Sequence, residues 1–290
     1  MKPRDEQSIE LDVPGSFDGH LDRPFRVRHT LTEHPLLSLE AVTRLAEQLP
    51  ESSVEHNLAD VPVLVPDGRA PRAEGSHALV ARELERGRSW TVLKNIEQVP
   101  EYAALLDTAL DDIDRLFGSK LTKRRRAGFI FLSAAGSVTP AHFDPEQNFL
   151  FQIRGSKVVS IGGYPSDVVR GEELERSYSG GHRNIAWVPT DPEAVHLGPG
   201  TGVFVPLHAP HWVTVGPELS ISFSATWEPL EADRARWVSR LNHRLRRLGL
   251  SPRLPGMSAP VDHVKFALVR TVRPMAGAVA RVQRMVKPRH

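Results

Sequence analysis

In the stretch TPAHFDPEQNFLFQIRGSKVV, residues 139–159, His142 and Asp144 stand two residues apart at the mouth of an apolar run. On a strand, residues i and i+2 point to the same face, so an imidazole and a carboxylate at this spacing can meet one ion. A turn with a polar rim, opened by Asp144-Pro145, would use the same residues, and the pair alone does not separate the two readings. A third donor comes from GPGTGVFVPLHAPHWV, where a glycine turn leads into an apolar strand, a short loop and then His211. Two strands joined by a tight loop can return His211 to the end of the β-structure that carries His142. The chain has no cysteine, so a metal held here is held by nitrogen and oxygen.

These residues need a β-scaffold, and the chain changes texture where one is required. Before residue 126 the signals are mixed. Ser38 is placed to cap a helix with apolar positions Leu39, Val42, Leu45 and Leu49, stopped by Pro50. The run VPVLV ends in the turn signal Pro66-Asp67-Gly68, residues 76–86 read as a short helix, and SWTVLKNI (89–96) reads as a strand. Pro100 opens a helix with Tyr102, Leu105, Leu106, Ala109, Ile113 and Leu116 on its apolar side, closed by Gly118. After Arg126 come short β-rich runs, GFIFLS, NFLFQI, KVVSIG, IAWV, GVFVP, HWVTV and LSISFSATW, separated by Gly and Pro turns. Such punctuation predicts a barrel or jelly roll. In SISFSATW, Ser220, Ser222, Ser224 and Thr226 alternate with Ile221, Phe223 and Ala225, which points one strand face into a polar-lined cavity. From Leu230 the period is helical again: Trp237, Val238, Leu241, Leu245 and Leu248 form a stripe ended by Gly249. A further helical stretch spans 261–286, kinked or broken at Pro274. The reading is of an α+β chain, mainly β, with a polar arm (1–25), an α/β region packing on the barrel (26–125), the barrel itself (126–229) and a basic helical region (230–290).

Two histidines and one carboxylate leave positions open on an octahedral ion, the arrangement associated with non-haem Fe(II) oxygenases. The region of about 129–227, one third of the chain, resembles the JmjC/cupin-like Fe(II)- and 2-oxoglutarate-dependent oxygenases, nearest in motif to their asparaginyl-hydroxylase branch. The resemblance implies a double-stranded β-helix (jelly-roll) core with His142, Asp144 and His211 as iron ligands. It also assigns cosubstrate contacts: Thr139, three residues before the first ligand, Asn148, six after it, and Lys157, fifteen after it, on the distal carboxylate of 2-oxoglutarate. The RGSKVV context matches the family's Gly-x-Lys turn. On the last barrel strand, Thr226 or its neighbour Ala225 stands where that branch often has an asparagine. The family's early-strand tyrosine has no counterpart, because GFIFLS carries only phenylalanines. The activity that the resemblance implies is that of a dioxygenase consuming O2 and 2-oxoglutarate. It would hydroxylate a C–H of a protein, peptide or small molecule, or demethylate an N-methyl group, with succinate and CO2 as coproducts. A binding or regulatory protein that keeps the fold, or a metal cupin that does not use 2-oxoglutarate, remain the alternatives.

Other histidines read more modestly: His208 as a loop residue on the rim, His182 and His196 as surface or hydrogen-bonded groups. The net charge of +2 is unevenly spread, since residues 231–290 hold 14 Lys/Arg against 3 Asp/Glu. That segment can contact RNA, an anionic membrane or an acidic partner, although a homodimer seam with a charged rim is the preferred reading. KRRR at 123–126 reads as a solvated corner. No signal-peptide core or membrane-length apolar run is present, so the expected location is the cytoplasm.

Overall fold

β11 (Ser220–Trp227) is buried at all eight positions, and its alternation sorts the molecule into layers. The computed structural model describes residues 9–13, 15, 19–65, 89–118, 121–122 and 124–271. Ile221, Phe223, Ala225 and Trp227 face a core shared with Phe149 and Phe151 of β6 (Gln147–Arg154), Phe204 of β9 (Thr201–Val205), and Ile130 and Leu132 of β4 (Ala127–Ser133). Two helices, α1 (Leu39–Gln48) and α2 (Pro100–Leu116), close that core with Val42, Leu45, Leu105, Leu106 and Ile113. Aromatic rings crowd it: Phe149 lies tilted 5.0 Å from Phe204 and stacked 6.0 Å from Trp227 between centroids. Each such ring contributes about 1.5–3 kcal/mol through burial. The helices form where expected. Ser38 Oγ accepts from the Ala41 N–H at 3.2 Å, and Pro100 sits in the first turn of α2, where its missing N–H leaves no bond unmade.

The remaining strands are β1 (Phe25–Arg28), β2 (Val54–Leu58), β3 (Ser89–Lys94), β5 (Val138–His142), β7 (Lys157–Gly163), β8 (Thr190–Leu197) and β10 (His211–Val215). They complete a seven-stranded sheet, β1-β9-β6-β11-β4-β3-β2, and a four-stranded sheet, β5-β10-β7-β8. From β4 onward the chain passes repeatedly between the sheets, which is the winding of a jelly roll, and every named pairing is antiparallel. A second core between the sheets joins Leu150, Val203 and Val205 to Val159, Ile161, Val195, Leu197 and Val213. The fold is the α+β, mainly β architecture expected.

Several local expectations change. IAWV is not a strand: Asn184 makes only a bridge to His142, and the Ile185 N–H donates to the Ala141 carbonyl at 2.9 Å. The strand lies just beyond, at β8, whose TDPEA start is exposed and carries Pro192. An edge strand pairs on one side only, so neither polarity nor a proline disqualifies it. The Ala59 and Val63 carbonyls, before and within the apolar run VPVLV, accept from the Val138 and Ala141 N–H groups and so cover the edge of β5. Within the segment expected as a polar arm, Ile9 is buried and its N–H donates to Asp112 Oδ2 at 2.7 Å. The helix expected at 76–86, the Pro66-Asp67-Gly68 turn, Lys123 and residues 272–286 with Pro274 lie outside the described residues.

Residues 164–182, inside the span expected for the barrel, group with 230–271 as a second compact unit. It contains α3 (Asp167–Tyr178), α4 (Leu230–Arg247) and helical residues 259–271. Its interior is a polar network: Glu175 accepts from Asn242 and Arg246, while Lys265 donates to Asn242 Oδ1 and to the Arg253 carbonyl, each at 2.7 Å. Among the described residues no helix is long and apolar enough to cross a membrane.

Candidate metal centre

His142 ends β5 and His211 begins β10, and the register pairs the two residues directly across the small sheet. The rings lie 4.2 Å apart between centroids. Asp144 comes two residues after His142, with the intervening Phe143 buried as an anchor. His142 Nε2 stands 3.8 Å from Asp144 Oδ1 and His211 Nε2 stands 3.6 Å from Asp144 Oδ2. One donor atom from each of the three residues lies within 4.8 Å of the others.

The second nitrogen of each ring is already committed. His142 Nδ1 donates to the Pro140 carbonyl at 2.7 Å and His211 Nδ1 to the Ala209 carbonyl at 2.9 Å, which leaves both Nε2 lone pairs directed into the site. Burial, then the neighbouring His211 and Arg183, hold the His142 pKa down to about 3, so its imidazole is neutral. Burial works to raise the Asp144 pKa, but Arg183 and the histidines around it prevail and hold it at about 2. Two imidazoles with their Nε2 atoms turned into the site and one ionised carboxylate form a donor set that suits a divalent transition metal.

The triad lines a cleft of about 790 Å3, mouth included, which Thr139, Asn148, Lys157 and Thr226 also line. Lys157 is the first residue of β7, reached through a Gly155-Ser156 turn. Gly155 has φ +68°, and a Cβ there would lie 2.5 Å from the Leu219 carbonyl oxygen, so the turn that delivers the lysine needs glycine. The Lys157 side chain lies along the Phe131 ring, with Nζ 5.3 Å from its centroid, and it is only 4% exposed. Burial alone lowers its pKa to about 7. Asn148 leaves one end of its amide without a protein partner among the described residues, as does the Ser224 hydroxyl beside it on the cleft wall. A lone buried ammonium and orphaned polar atoms are each unfavourable by a few kcal/mol unless a ligand answers them. The Lys157 ammonium, the Ser224 hydroxyl and the Asn148 Nδ2 can donate to an anion that carries hydrogen-bond acceptors, while the orphaned Asn148 Oδ1 calls for a donor.

Thr226 reaches the same cleft, but its hydroxyl donates to the Ala127 carbonyl at 2.8 Å and is already committed. His208 corrects the expectation of a rim residue. It is 2% exposed with φ +63°, and its backbone N–H donates to the Asp144 carbonyl at 3.1 Å, which steadies the loop before His211. His182 and His196 are exposed, as expected. Sequence reasoning missed Arg183, whose guanidinium hydrogen-bonds Asp144 Oδ1 from the open side of the cleft. No motif marks it, because its place depends on pairing of residues 183–185 with the end of β5.

No protein-family model matches the chain, and no curated protein does. Among solved structures it resembles an X-ray structure of Escherichia coli YcfD, with 17% identity, covering 87% of this chain and 64% of that one at a TM-score of 0.51. A second crystal structure, described as the Escherichia coli ribosomal oxygenase YcfD, gives 17% identity, coverages of 91% and 67%, and a TM-score of 0.50. A third, the same protein in complex with cobalt and 2-oxoglutarate, gives 18%, 86%, 62% and 0.48. The chain therefore spans a little under two thirds of the length of the first of these proteins. At this level of identity the likeness establishes a shared jelly-roll fold.

Proposed function

We propose that the protein is an Fe(II)- and 2-oxoglutarate-dependent dioxygenase. One observation carries the reading: a single cleft gathers two imidazole Nε2 atoms and a carboxylate with a buried lysine and an asparagine amide that have no ion-pair or hydrogen-bond partner among the described residues. A metal-only site would need the first three residues and gain nothing from a lone ammonium sealed against Phe131.

In this reading His142, Asp144 and His211 hold the iron. Lys157 pairs with the distal carboxylate of 2-oxoglutarate, and Asn148 and Thr139 hydrogen-bond it. The apolar walls Leu150, Val159, Val205 and Val213 exclude water around those contacts, which strengthens them. Iron and 2-oxoglutarate, when bound, would let O2 serve as the oxidant of a substrate C–H bond, one oxygen atom going to succinate and one to the product, with CO2 released. The protein's share is to orient the cosubstrate from one end of the cleft and to present the substrate bond from the other. The placement of Thr139, Asn148 and Lys157 in one cleft supports the tie to the asparaginyl-hydroxylase branch. The fold shared with a ribosomal oxygenase favours a side chain of a ribosomal component as the substrate.

Anaerobic addition of Fe(II) and then 2-oxoglutarate to the purified protein tests this. A weak visible charge-transfer band is expected only with both present, and it is expected to vanish in His211→Ala. Tight iron binding with no band would point to a metal cupin with another ligand, and neither signal would leave a non-catalytic fold.

A further inference from the structure

Arg183 is the strongest group at the site that the proposed chemistry does not use. Its position is set by backbone pairing: the Arg183 carbonyl accepts from the Phe143 N–H, Asn184 bridges to His142, and the Ile185 N–H donates to the Ala141 carbonyl. Residues 183–185 thus run beside the end of β5 and bring the guanidinium onto Asp144. The Arg183 side chain is 54% exposed and that of Asp144 only 12%, so the arginine approaches from the mouth. Its charge is felt by Glu146 and Glu55 of the same cleft as well as by Asp144.

The contact is selective for one oxygen. Each Asp144 oxygen faces one histidine, Oδ1 at 3.8 Å from His142 Nε2 and Oδ2 at 3.6 Å from His211 Nε2, but only Oδ1 carries the guanidinium. A free carboxylate can give a metal one oxygen or two. If it gives two, it takes a coordination position that a bidentate cosubstrate needs.

We propose that Arg183 is a positioning residue that holds Asp144 to the metal through Oδ2 alone and so keeps the site open for a chelating dianion. This rests on the iron and 2-oxoglutarate reading above. Arginine suits the role because its planar guanidinium stays charged and aims a directed N–H at Oδ1 alone, where a lysine ammonium is a freely rotating point charge. Two consequences of removing it act in the same direction on the cosubstrate: a competing carboxylate oxygen is released, and a positive charge beside the dianion is lost. On the metal alone the effects oppose each other, because lost orientation weakens binding while a freed carboxylate oxygen and the loss of a neighbouring cation favour a divalent ion. The cosubstrate is therefore the more sensitive reporter.

The test uses Co(II) in place of iron with the full chain, comparing wild type, Arg183→Gln and Arg183→Lys. Affinities for Co(II) and for 2-oxoglutarate are measured by calorimetry, and the visible d–d spectrum reports coordination number. Loss of a partner that orients a metal ligand changes affinity or activity by about 10–100-fold. We expect Arg183→Gln to lose 2-oxoglutarate affinity within that range, with Co(II) affinity moving less than about threefold on the same scale. Its Co(II) spectrum without cosubstrate is expected to differ from wild type, and Arg183→Lys to restore affinity but not the spectrum. If Arg183→Gln matches wild type in both spectrum and 2-oxoglutarate affinity, the assignment of Arg183 falls and the parent reading stands. If wild type itself shows no Co(II)-dependent binding of 2-oxoglutarate, the parent reading falls with it.

Discussion

Two lysines are buried among the described residues of this protein, and their surroundings differ in kind. Lys265, 9% exposed in the helical unit, donates to Asn242 Oδ1 and the Arg253 carbonyl. Lys157, 4% exposed in the jelly roll, has a phenyl face beside it and an orphaned amide on the cleft wall. Burial lowers the pKa of both, and for Lys157, where no described residue offsets it, the value reaches about 7. The first lysine completes a structure. The second lacks a counterion that folding does not provide, and an unpaired buried charge is the better guide to a ligand site.

Substituting each lysine by methionine should separate the two roles. Lys157→Met is expected to weaken 2-oxoglutarate by about 2–5 kcal/mol, some 30-fold or more, with a much smaller effect on metal affinity. It should also stabilise the ligand-free protein, because the unpaired charge goes. Equal losses of cosubstrate and metal affinity would contradict the division of labour in the cleft. Lys265→Met should do the reverse. Stability in urea falls by about 1–3 kcal/mol, as Asn242 and Arg253 lose their donor, and binding at the cleft is unchanged.

A pH series sharpens the contrast. In the empty cleft Lys157 loses its proton near pH 7, and a bound dianion favours the protonated form. Binding above pH 7 therefore takes up a proton, and affinity for 2-oxoglutarate should fall with rising pH, by at most about tenfold per unit. Lys157→Met should flatten that slope between about pH 7 and 9. A slope that persists in the variant would assign the proton to another group in the cleft, which also holds Glu55, Lys94 and Glu146. The smallest effect is expected at Thr226→Val. Its hydroxyl serves Ala127, so stability should drop by about 1 kcal/mol and cosubstrate affinity should shift less than about threefold.

How far the chain could be read depended on the range of the forces involved. The β11 alternation was visible because period-two burial is written into consecutive residues, and Ser224 does face the cleft. The IAWV run misled because apolar content was read as a strand, whereas β8 pairs on one side only and tolerates TDPEA. His208 was read as rim because its loop position was legible and its burial was not.

By itself the sequence determined the β-rich core, the caps of α1 and α2, and the spacing of His142, Asp144 and Lys157, all matters of local periodicity, turn chemistry and counting along one segment. Only the tertiary structure decided that His211 pairs across from His142, that Lys157 is sealed without a hydrogen-bond partner among the described residues, that Thr226 is committed to Ala127 and that Arg183 closes on Asp144. Each of those joins residues through strand register and desolvation. Neither has a signature in the spacing of residues along the chain.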